Sequence, residues 1–332
     1  MPEQRRGLAA PALTNIAGTS VPGITMTNQK ILIKIVSYRD PELIKTIASA
    51  LAAADHPERV EFAIVNQVGD ETRDQLAIFH ADPRFTVTEV HWSQSLGLGW
   101  ARNMCDAMWR GQEFTLQLDS HMRFLRGWDN RFMSDLERTD DPRGVISCYP
   151  ATYHFAAGAE VYSSTMPHKI IAAHVDAEGI PSLRSGSNVA PLARTLIVAG
   201  GMQFSRGEVC IDVPNNDIVF YGDEMAHSIR LFCAGYNVYA PSKVTIFHLY
   251  ERHKWMHVEY WSKNLQEDPI LRPRFQRLYD ANIAILMDLL DLGNDRHLGS
   301  SRTKREFNAF SEGFRDCEIF GPHDTLAKLA AS

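Results

Sequence analysis

An Asp-x-His motif follows one of the apolar segments of this sequence. Residues 114–118 read Phe-Thr-Leu-Gln-Leu, and Asp119 and His121 come directly after them. In an extended chain, side chains at i and i+2 point to the same face, so Asp119 and His121 can converge on one ion while Ser120 faces away. The alternative is that Asp119 caps the following turn and His121 is an ordinary loop residue. The tripeptide alone favours this alternative, because short motifs often match by chance.

A third candidate ligand lies far along the chain. His248 follows the apolar segment 244–247, and with Asp119 and His121 it would supply two imidazoles and one carboxylate. A hard divalent ion that bridges a diphosphate takes a few protein ligands and completes its coordination with phosphate oxygens and water. The mixed oxygen and nitrogen donors favour Mn²⁺, with Mg²⁺ as the second choice. A lone histidine at a strand end is more often structural, so the assignment of these three residues as metal ligands is a hypothesis.

Two glycine-led helix starts carry further charged groups. Gly222 precedes Asp223 and Glu224, where two acids either stabilise the helix dipole or supply a carboxylate to the reaction. Residues 97–99 (Gly-Leu-Gly) precede a predicted helix that carries Arg102, and such a helix start suits a phosphate. The spacing falls short of a dinucleotide-binding fingerprint. Arg102 could equally be a solvated helix charge.

Alternating strands and helices would bring these residues together. The predicted strands are 31–36, 60–65, 85–91 and 114–118, and the predicted helices between them are 41–54, 70–80 and 97–109. This order indicates an α/β fold with a doubly wound, mostly parallel sheet. Such sheets bind ligands at the carboxyl ends of their strands. The polar residues predicted at these ends are Ser37, Tyr38, Arg39, Asn66, Gln67, Asp119 and His121.

The second half of the chain is less regular. The predicted elements are a helix over 128–137, strands over 145–148, 169–175, 237–240 and 244–247, and a helix over 223–234. The segment 149–191 is otherwise predicted to be irregular, as in a lid or substrate loop. Gly200 and Gly201 precede another short apolar run.

Composition narrows the class of protein. The 332 residues are 45% hydrophobic and 22% charged, with a net charge of −6, so no overall basic field attracts nucleic acid. Five scattered cysteines, without a C-x-x-C pair, suit a reducing compartment. No segment has the length needed to cross a bilayer. We expect a flexible leader over 1–28, a catalytic domain over 29–253 and a mostly helical extension over 254–332 that packs on it.

Several motifs together resemble a known family. The segments Ser37-Tyr38-Arg39-Asp40, Gly99-Trp100-Ala101-Arg102, Asp119-Ser120-His121, Gly222-Asp223-Glu224 and His248-Leu249-Tyr250 occur in that order. They resemble the glycosyltransferase family that holds the cytosolic hydroxyproline N-acetylglucosaminyltransferases. The Asp-x-His motif and the Gly200-Gly201 pair also resemble the polypeptide N-acetylgalactosaminyltransferases. The match spans roughly residues 31 to 250, and its combination of motifs is more specific than any single one.

The resemblance implies a GT-A fold, a UDP-sugar donor, a divalent metal, usually Mn²⁺, and retention of the anomeric configuration. It implies that N-acetylglucosamine is transferred to a hydroxyl acceptor, such as Ser, Thr or hydroxyproline of a peptide or protein, or a small molecule. The implied metal ligands are Asp119, His121 and His248. The implied donor-binding residues are Ser37, Tyr38, Arg39, Gln67, Arg102, Asp119, Gly200 and Gly201, and Asp223 or Glu224 is the implied acid near the transferred sugar.

Other functions fit parts of the sequence. A sugar nucleotidyltransferase would need a glycine-rich, lysine-bearing signature near the first strand, and residues 37–40 do not supply one. A non-catalytic nucleotide-sugar or carbohydrate-binding protein would use the 10% aromatic content for stacking and would need no metal. A cysteine hydrolase has no local signature here. The absence of a predicted anchor suits a cytoplasmic enzyme without a membrane span, and the oligomeric state stays open.

Overall fold

The computed structural model describes residues 29–251, 268–293 and 298–316, which form fourteen strands and seven α-helices. The strands are β1 Ile31–Tyr38, β2 Val60–Val68, β3 Phe85–His91, β4 Phe114–Leu118, β5 Met122–Phe124, β6 Gly144–Ser147, β7 Ala151–Ala156, β8 Ala159–Tyr162, β9 His168–Val175, β10 Pro181–Asn188, β11 Arg194–Thr195, β12 Met202–Arg206, β13 Asn237–Tyr239 and β14 Ile246–Leu249. The helices are α1 Leu43–Ala53, α2 Leu98–Asp106, α3 Trp128–Arg138, α4 Val209–Asp212, α5 Asp223–Cys233, α6 Arg272–Leu290 and α7 Lys304–Ser311.

Eight strands form the main sheet, in the order β11-β13-β6-β12-β4-β1-β2-β3. The first four strands of the chain pair in parallel, and β12 runs antiparallel to both of its neighbours, β4 and β6. The carboxyl ends of β1, β2 and β4 therefore lie at one edge, where parallel α/β sheets bind their ligands. The predicted α/β fold with a mostly parallel sheet is confirmed.

The first strand is buried on both faces because helices cover both sides of the sheet. Ile33 packs in one core with Leu43 of α1 and Trp128 of α3. Leu32, its neighbour in sequence, packs in another core with Ala101 of α2. Successive side chains of a strand point to opposite faces, so a nearly continuous apolar run serves both cores.

A second sheet, in the order β5-β14-β7-β8, completes the edge beside β4. The strand β14 pairs antiparallel with β5 and parallel with β7, and it sets His248 opposite Met122. We predicted this strand over 244–247, with His248 just beyond it. It covers Ile246–Leu249, so His248 lies inside the strand and its position is fixed by the ladder.

Two sequence-based predictions of local structure are wrong. Residues 70–80 form two 3₁₀ turns, Asp70–Thr72 and Ala77–Phe79, in place of an α-helix. Asp74 between them has φ 59°, a left-handed conformation that interrupts a right-handed helix. The segment 149–191 is mostly β-structure, because β7–β8 and β9–β10 form two antiparallel pairs.

The described part of the C-terminal region contacts the α5 helix. Leu286 and Leu289 of α6 lie in one core with Met225 and Ile229 of α5. The side chain of Asn282 in α6 accepts a hydrogen bond of 2.6 Å from the backbone N–H of Val219. The predicted leader, 1–28, and parts of the predicted extension, 254–332, lie outside the described residues. Within the described ranges, no helix is long and apolar enough to cross a membrane.

Candidate active site

Asp119, His121 and His248 meet beyond the carboxyl end of β4. The Nε2 atom of His248 lies 3.2 Å from Oδ2 of Asp119 and 2.9 Å from Nε2 of His121. One ligand atom from each residue lies within 4.8 Å of the others. His121 is buried, whereas the side chain of Asp119 is 31% exposed, so a ligand can approach from the carboxylate side.

This donor set fits a divalent cation. A carboxylate oxygen and two imidazole nitrogens converge on one point, and both histidines present Nε2 to it. The pKa of Asp119 is held well below its usual range: burial opposes this direction, but the hydrogen bond and charge of His248 and the charge of Arg102 outweigh it. Asp119 is therefore ionised, as a metal ligand must be.

Asp40, the last residue of the Ser37-Tyr38-Arg39-Asp40 segment, orients His121. Its buried carboxylate lies 2.7 Å from Nδ1 of His121 and accepts a 2.6 Å hydrogen bond from Oγ of Ser120. It also accepts a 2.8 Å hydrogen bond from the backbone N–H of Glu42, and Glu42, not Asp40, is the N-cap residue of α1. Burial lowers the pKa of His121, but the Asp40 carboxylate raises it by more. Such a carboxylate partner fixes the tautomer of a ligating histidine.

For a cation held by Asp119, His121 and His248, replacing Asp40 by Asn should weaken binding by about 10- to 100-fold, the usual cost of losing a partner behind a ligating histidine. The amide keeps the size of the side chain but loses the charge that holds Nδ1–H of His121. Calorimetric titration with Mn²⁺ measures the change, and Ser120→Ala is the milder comparison because it removes only a bond to Asp40. Unchanged affinity in Asp40→Asn would contradict this role.

Arg102 joins the two acids of the site. Its guanidinium forms an ion pair with Oδ2 of Asp223 through Nη1, and Nη2 lies 3.6 Å from Oδ1 of Asp119. Nη2 also donates a 3.0 Å hydrogen bond to the carbonyl of Gly200. With its side chain only 5% exposed, Arg102 is not the solvated helix charge that the sequence left open.

Gly200 and Gly201 leave room for the side chains of Arg102 and Asp119. A Cβ at Gly201 would lie 2.5 Å from Oδ2 of Asp119, and a Cβ at Gly200 would lie 2.9 Å from Nη2 of Arg102. Both distances are shorter than real contacts, so any larger residue would displace a functional group. The resemblance places the pair among the donor-binding residues, and in the structure it allows close approach of Asp119 and Arg102.

Glu224 faces the backbone of the glycine pair and not the cluster of Asp119, His121 and His248. Its carboxylate accepts a 2.6 Å hydrogen bond from the N–H of Gly200 and a 2.8 Å bond from the hydroxyl of Tyr149. Burial, and then the adjacent Asp223 carboxylate, raise the pKa of Glu224 to about 8. The two acids therefore differ: Asp223 contacts Arg102, whereas Glu224 holds the Gly200 turn.

Glu224 should make the protein less stable as pH rises. Its pKa is higher in the folded state than in the unfolded chain. As pH rises, the carboxyl therefore ionises first in the unfolded chain, and this ionisation stabilises the unfolded chain relative to the folded state. Between about pH 5 and pH 8, the free energy of unfolding should fall in the wild type relative to Glu224→Gln by roughly 3 kcal/mol, since each pH unit between the two pKa values contributes about 1.4 kcal/mol. Urea unfolding at several pH values measures this difference. The exposed Glu137→Gln is the control, and parallel pH profiles for wild type and Glu224→Gln would contradict the prediction.

The predicted nucleotide-binding residues lie at the carboxyl ends of β1 and β2. Gln67 donates a 3.2 Å hydrogen bond to the carbonyl of Ser37, and two oxygens, Oγ of Ser37 and Oε1 of Gln67, are buried without a partner in the described residues. Arg39 pairs with Glu71 at 2.5 Å, and its guanidinium lies 5.2 Å from the ring centre of Trp92. The sequence pattern identified neither Glu71 nor Trp92.

Tyr38 differs from its neighbours on β1. It packs with Val219 and with Phe275 of α6, so its ring belongs to an apolar cluster between the sheet and the C-terminal helix. Tyr38 lies opposite Gln67 in the β1–β2 ladder, next to Ser37, so these three residues are close together at this edge.

A chain of hydrogen bonds connects a buried ion pair to the Gly200 carbonyl. Nζ of Lys34 in β1 lies 2.5 Å from Oδ1 of Asp106 in α2, and both side chains are almost fully buried. Oδ2 of Asp106 accepts from the side chain of Asn215, which also donates to Gln117 at 3.2 Å. Gln117 in turn donates to the carbonyl of Gly200, which Arg102 also contacts. The lone lysine in the apolar run 31–36 was the signal in the sequence.

Comparisons with known proteins identify the family and the fold of the chain. A family model described as glycosyltransferase (GlcNAc) matches residues 72–282. The crystal structure of GalNAc-T7 with UDP, GalNAc and Mn²⁺ superposes with a TM-score of 0.56 at 12% identity, over 76% of this chain and 48% of that one, which shows the shared fold. The chain thus spans about half the length of GalNAc-T7.

A structure of S. aureus TarS 1-349 in complex with UDP-GlcNAc is more distant. It matches with a TM-score of 0.47 at 14% identity, over 77% of this chain and 72% of that one. No curated protein sequence matches the chain significantly. The family model covers well over half of the chain and includes α2 and α5, which carry Arg102 and Asp223, and β4, which Asp119 directly follows. The chain belongs to the glycosyltransferase (GlcNAc) family and has the GT-A fold.

Proposed function

We propose that this glycosyltransferase is a retaining, metal-dependent enzyme that moves N-acetylglucosamine from a UDP-sugar to a hydroxyl acceptor. The observation that carries the proposal is the convergence of Asp119, His121 and His248, with ligand atoms within 4.8 Å of one another, at the ligand-binding edge of the sheet. The name of the family supports N-acetylglucosamine, and the Mn²⁺ and UDP bound to GalNAc-T7 support the metal and the nucleotide.

Asp119, His121 and His248 would hold the cation, with Mn²⁺ preferred for the mixed donors. When bound, a divalent cation would neutralise charge that develops on the departing diphosphate. Asp40 keeps His121 in the orientation that this role needs. Arg102 keeps Asp119 and Asp223 close together although both are acids, because its guanidinium lies between them.

The donor would lie between the Asp119 cluster and the carboxyl ends of β1 and β2. The buried, unpartnered oxygens of Ser37 and Gln67 are suited to N–H groups such as that of a uracil ring. The Trp92 ring offers an apolar face near Arg39. Asp223, which faces the site through Arg102, is the acid we place near the transferred sugar.

Retention is the stereochemical part of the proposal. Asp119 is committed to the cation, and Asp223 to Arg102, so no described carboxylate of the site is left as an unengaged nucleophile. Attack by the acceptor hydroxyl from the face that the diphosphate leaves would keep the configuration. In the same proposal the catalytic unit spans 29–253, with 254–332 as an extension.

A UDP-release screen tests the proposal directly. The protein is incubated with each of several UDP-sugars, with Mn²⁺, with Mg²⁺ or with excess chelator. We expect release from UDP-N-acetylglucosamine with Mn²⁺ and loss of release in chelator. Metal-independent donor binding without release would identify a binding protein, and full activity in chelator would overturn the metal assignment.

A further inference from the structure

A cleft of about 180 Å³ opens beside the candidate active site, between the β7–β8 and β9–β10 pairs. We call it the hydroxyl cleft, and its polar lining is Tyr149, Thr152, Ser163, Ser164, Ser185 and Tyr250. The volume is smaller than the roughly 300–1,000 Å³ of pockets for drug-sized ligands, so the cleft takes one small group at a time.

Two tyrosines connect the hydroxyl cleft to the site. The ring of Tyr250 lies 4.1 Å, centre to centre, from the ring of His248, one of the three candidate ligands. The hydroxyl of Tyr149 contacts Glu224, which holds Gly200. Two residues of the cleft lining are therefore in direct contact with residues of the candidate active site.

The lining is uncharged. None of its eleven residues carries an acidic or basic side chain except His168, and burial lowers the pKa of His168, so this imidazole is neutral at pH 7. A phosphate or carboxylate in the cleft would lack a cation to compensate its lost hydration. The hydroxyls both donate and accept hydrogen bonds, and the tyrosine rings offer apolar faces.

The backbone of the rim is already engaged. Ser163 donates its N–H to the carbonyl of Thr152 at 2.8 Å, and Thr152 donates its N–H to Oγ of Ser163 at 2.9 Å. Val244 donates to the carbonyl of Thr165 at 3.0 Å. An extended peptide that binds by adding a strand needs open backbone groups, and these ones are paired.

We propose that the hydroxyl cleft is the acceptor subsite and that it binds a neutral saccharide ring. This inference rests on the proposed function. The acceptor oxygen forms the new bond to the anomeric carbon, the bond from that carbon to the diphosphate oxygen breaks with its electron pair on the diphosphate, and the hydroxyl proton goes to the departing diphosphate. Side-chain hydroxyls select for a polyhydroxylated, uncharged acceptor.

The test uses the full-length protein with UDP-N-acetylglucosamine and Mn²⁺. Release of UDP is measured alone, with a panel of neutral methyl glycosides and disaccharides, with the corresponding sugar phosphates, and with peptides that contain Ser, Thr or hydroxyproline. We expect the neutral saccharides to stimulate release. Stimulation by peptides or sugar phosphates, with none by neutral saccharides, would overturn the inference and leave the proposed function standing. No release from any UDP-sugar would overturn both.

Variants locate the acceptor. Ser185→Tyr and Ser164→Tyr fill the cleft from opposite walls, at exposed positions. Each should lower the ratio of saccharide-stimulated to unstimulated release by about tenfold or more, through a higher KM for the saccharide. Ser187→Tyr makes the same change on β10 at an exposed residue outside the lining, and its ratio should match that of the wild type. Wild-type ratios in both cleft variants, with unchanged thermal unfolding, would place the acceptor elsewhere.

Discussion

Replacing Asp119 by Asn should lower UDP release by on the order of a thousandfold or more, because the site loses the only charged ligand of its candidate metal cluster. An amide oxygen can still contact a cation, but it carries no formal charge to balance it. The partly exposed side chain packs against Gly201, where Asn occupies nearly the same volume, so the fold should persist. Steady-state UDP release, with saturating Mn²⁺ and UDP-N-acetylglucosamine, measures the loss.

A matched control separates the site from the general effect of losing a carboxylate. Asp280→Asn makes the same change on the exposed face of α6 and should leave turnover within about twofold of the wild type, as surface substitutions usually do. Mn²⁺ titration of Asp119→Asn should also show weakened binding. Wild-type turnover in this variant would remove Asp119 from the mechanism and leave the cluster as a structural hydrogen-bond network.

The first half of the fold follows closely from the sequence. The apolar run 31–36 and the segment 114–118 are buried strands in the structure, and both predicted strands pair in parallel. This works because strands that are buried on both faces carry mostly apolar side chains, and the buried exceptions, Lys34 and Gln117, have polar partners. Their order along the chain then places their carboxyl ends together.

Sequence patterns gave wrong secondary-structure predictions where backbone conformation and strand pairing determined the structure. The segment 70–80 has helix-compatible residues, yet Asp74 has a positive φ and the side chain of Thr72 accepts from the N–H of Gly69. In 149–191, Ala157 and Gly158 both have positive φ, as a tight hairpin turn requires. The strands that flank it, Ala151–Ala156 and Ala159–Tyr162, are short and mix small, polar and aromatic residues, so they show no clear alternation.

The site could be predicted only in part because its contacts join residues that are distant in sequence. An Asp-x-His pair can be read from a strand pattern, since its two members share one face. The contact of His121 with Asp40 spans 81 positions, and the contact of Arg102 with Asp223 spans 121. Only the packing of α2 and α5 against the glycine pair brings the second pair together.

Arg102→Met should cost about 3 kcal/mol of the free energy of unfolding, because it leaves a mostly buried acid without its partner. Asp223 would lose its ion pair and Asp119 its nearby cation, although the side chain of Asp119 keeps contact with solvent. Met fills much of the same volume, so the loss measures charge more than packing. Urea unfolding in chelator measures it without stabilisation by a bound metal. Arg131→Met, on the exposed face of α3, is the control.

The double variant Arg102→Met with Asp223→Asn distinguishes a lost ion pair from a lost fold. If the cost arises from the unpaired Asp223 carboxylate, removing its charge should restore about half of the lost stability, and the two substitutions should be non-additive. If Arg102 acts mainly through its bond to the Gly200 carbonyl, the double variant should be no more stable than Arg102→Met. In both variants UDP release should stay low, because the Arg102 guanidinium that lies between residues 119 and 223 is gone.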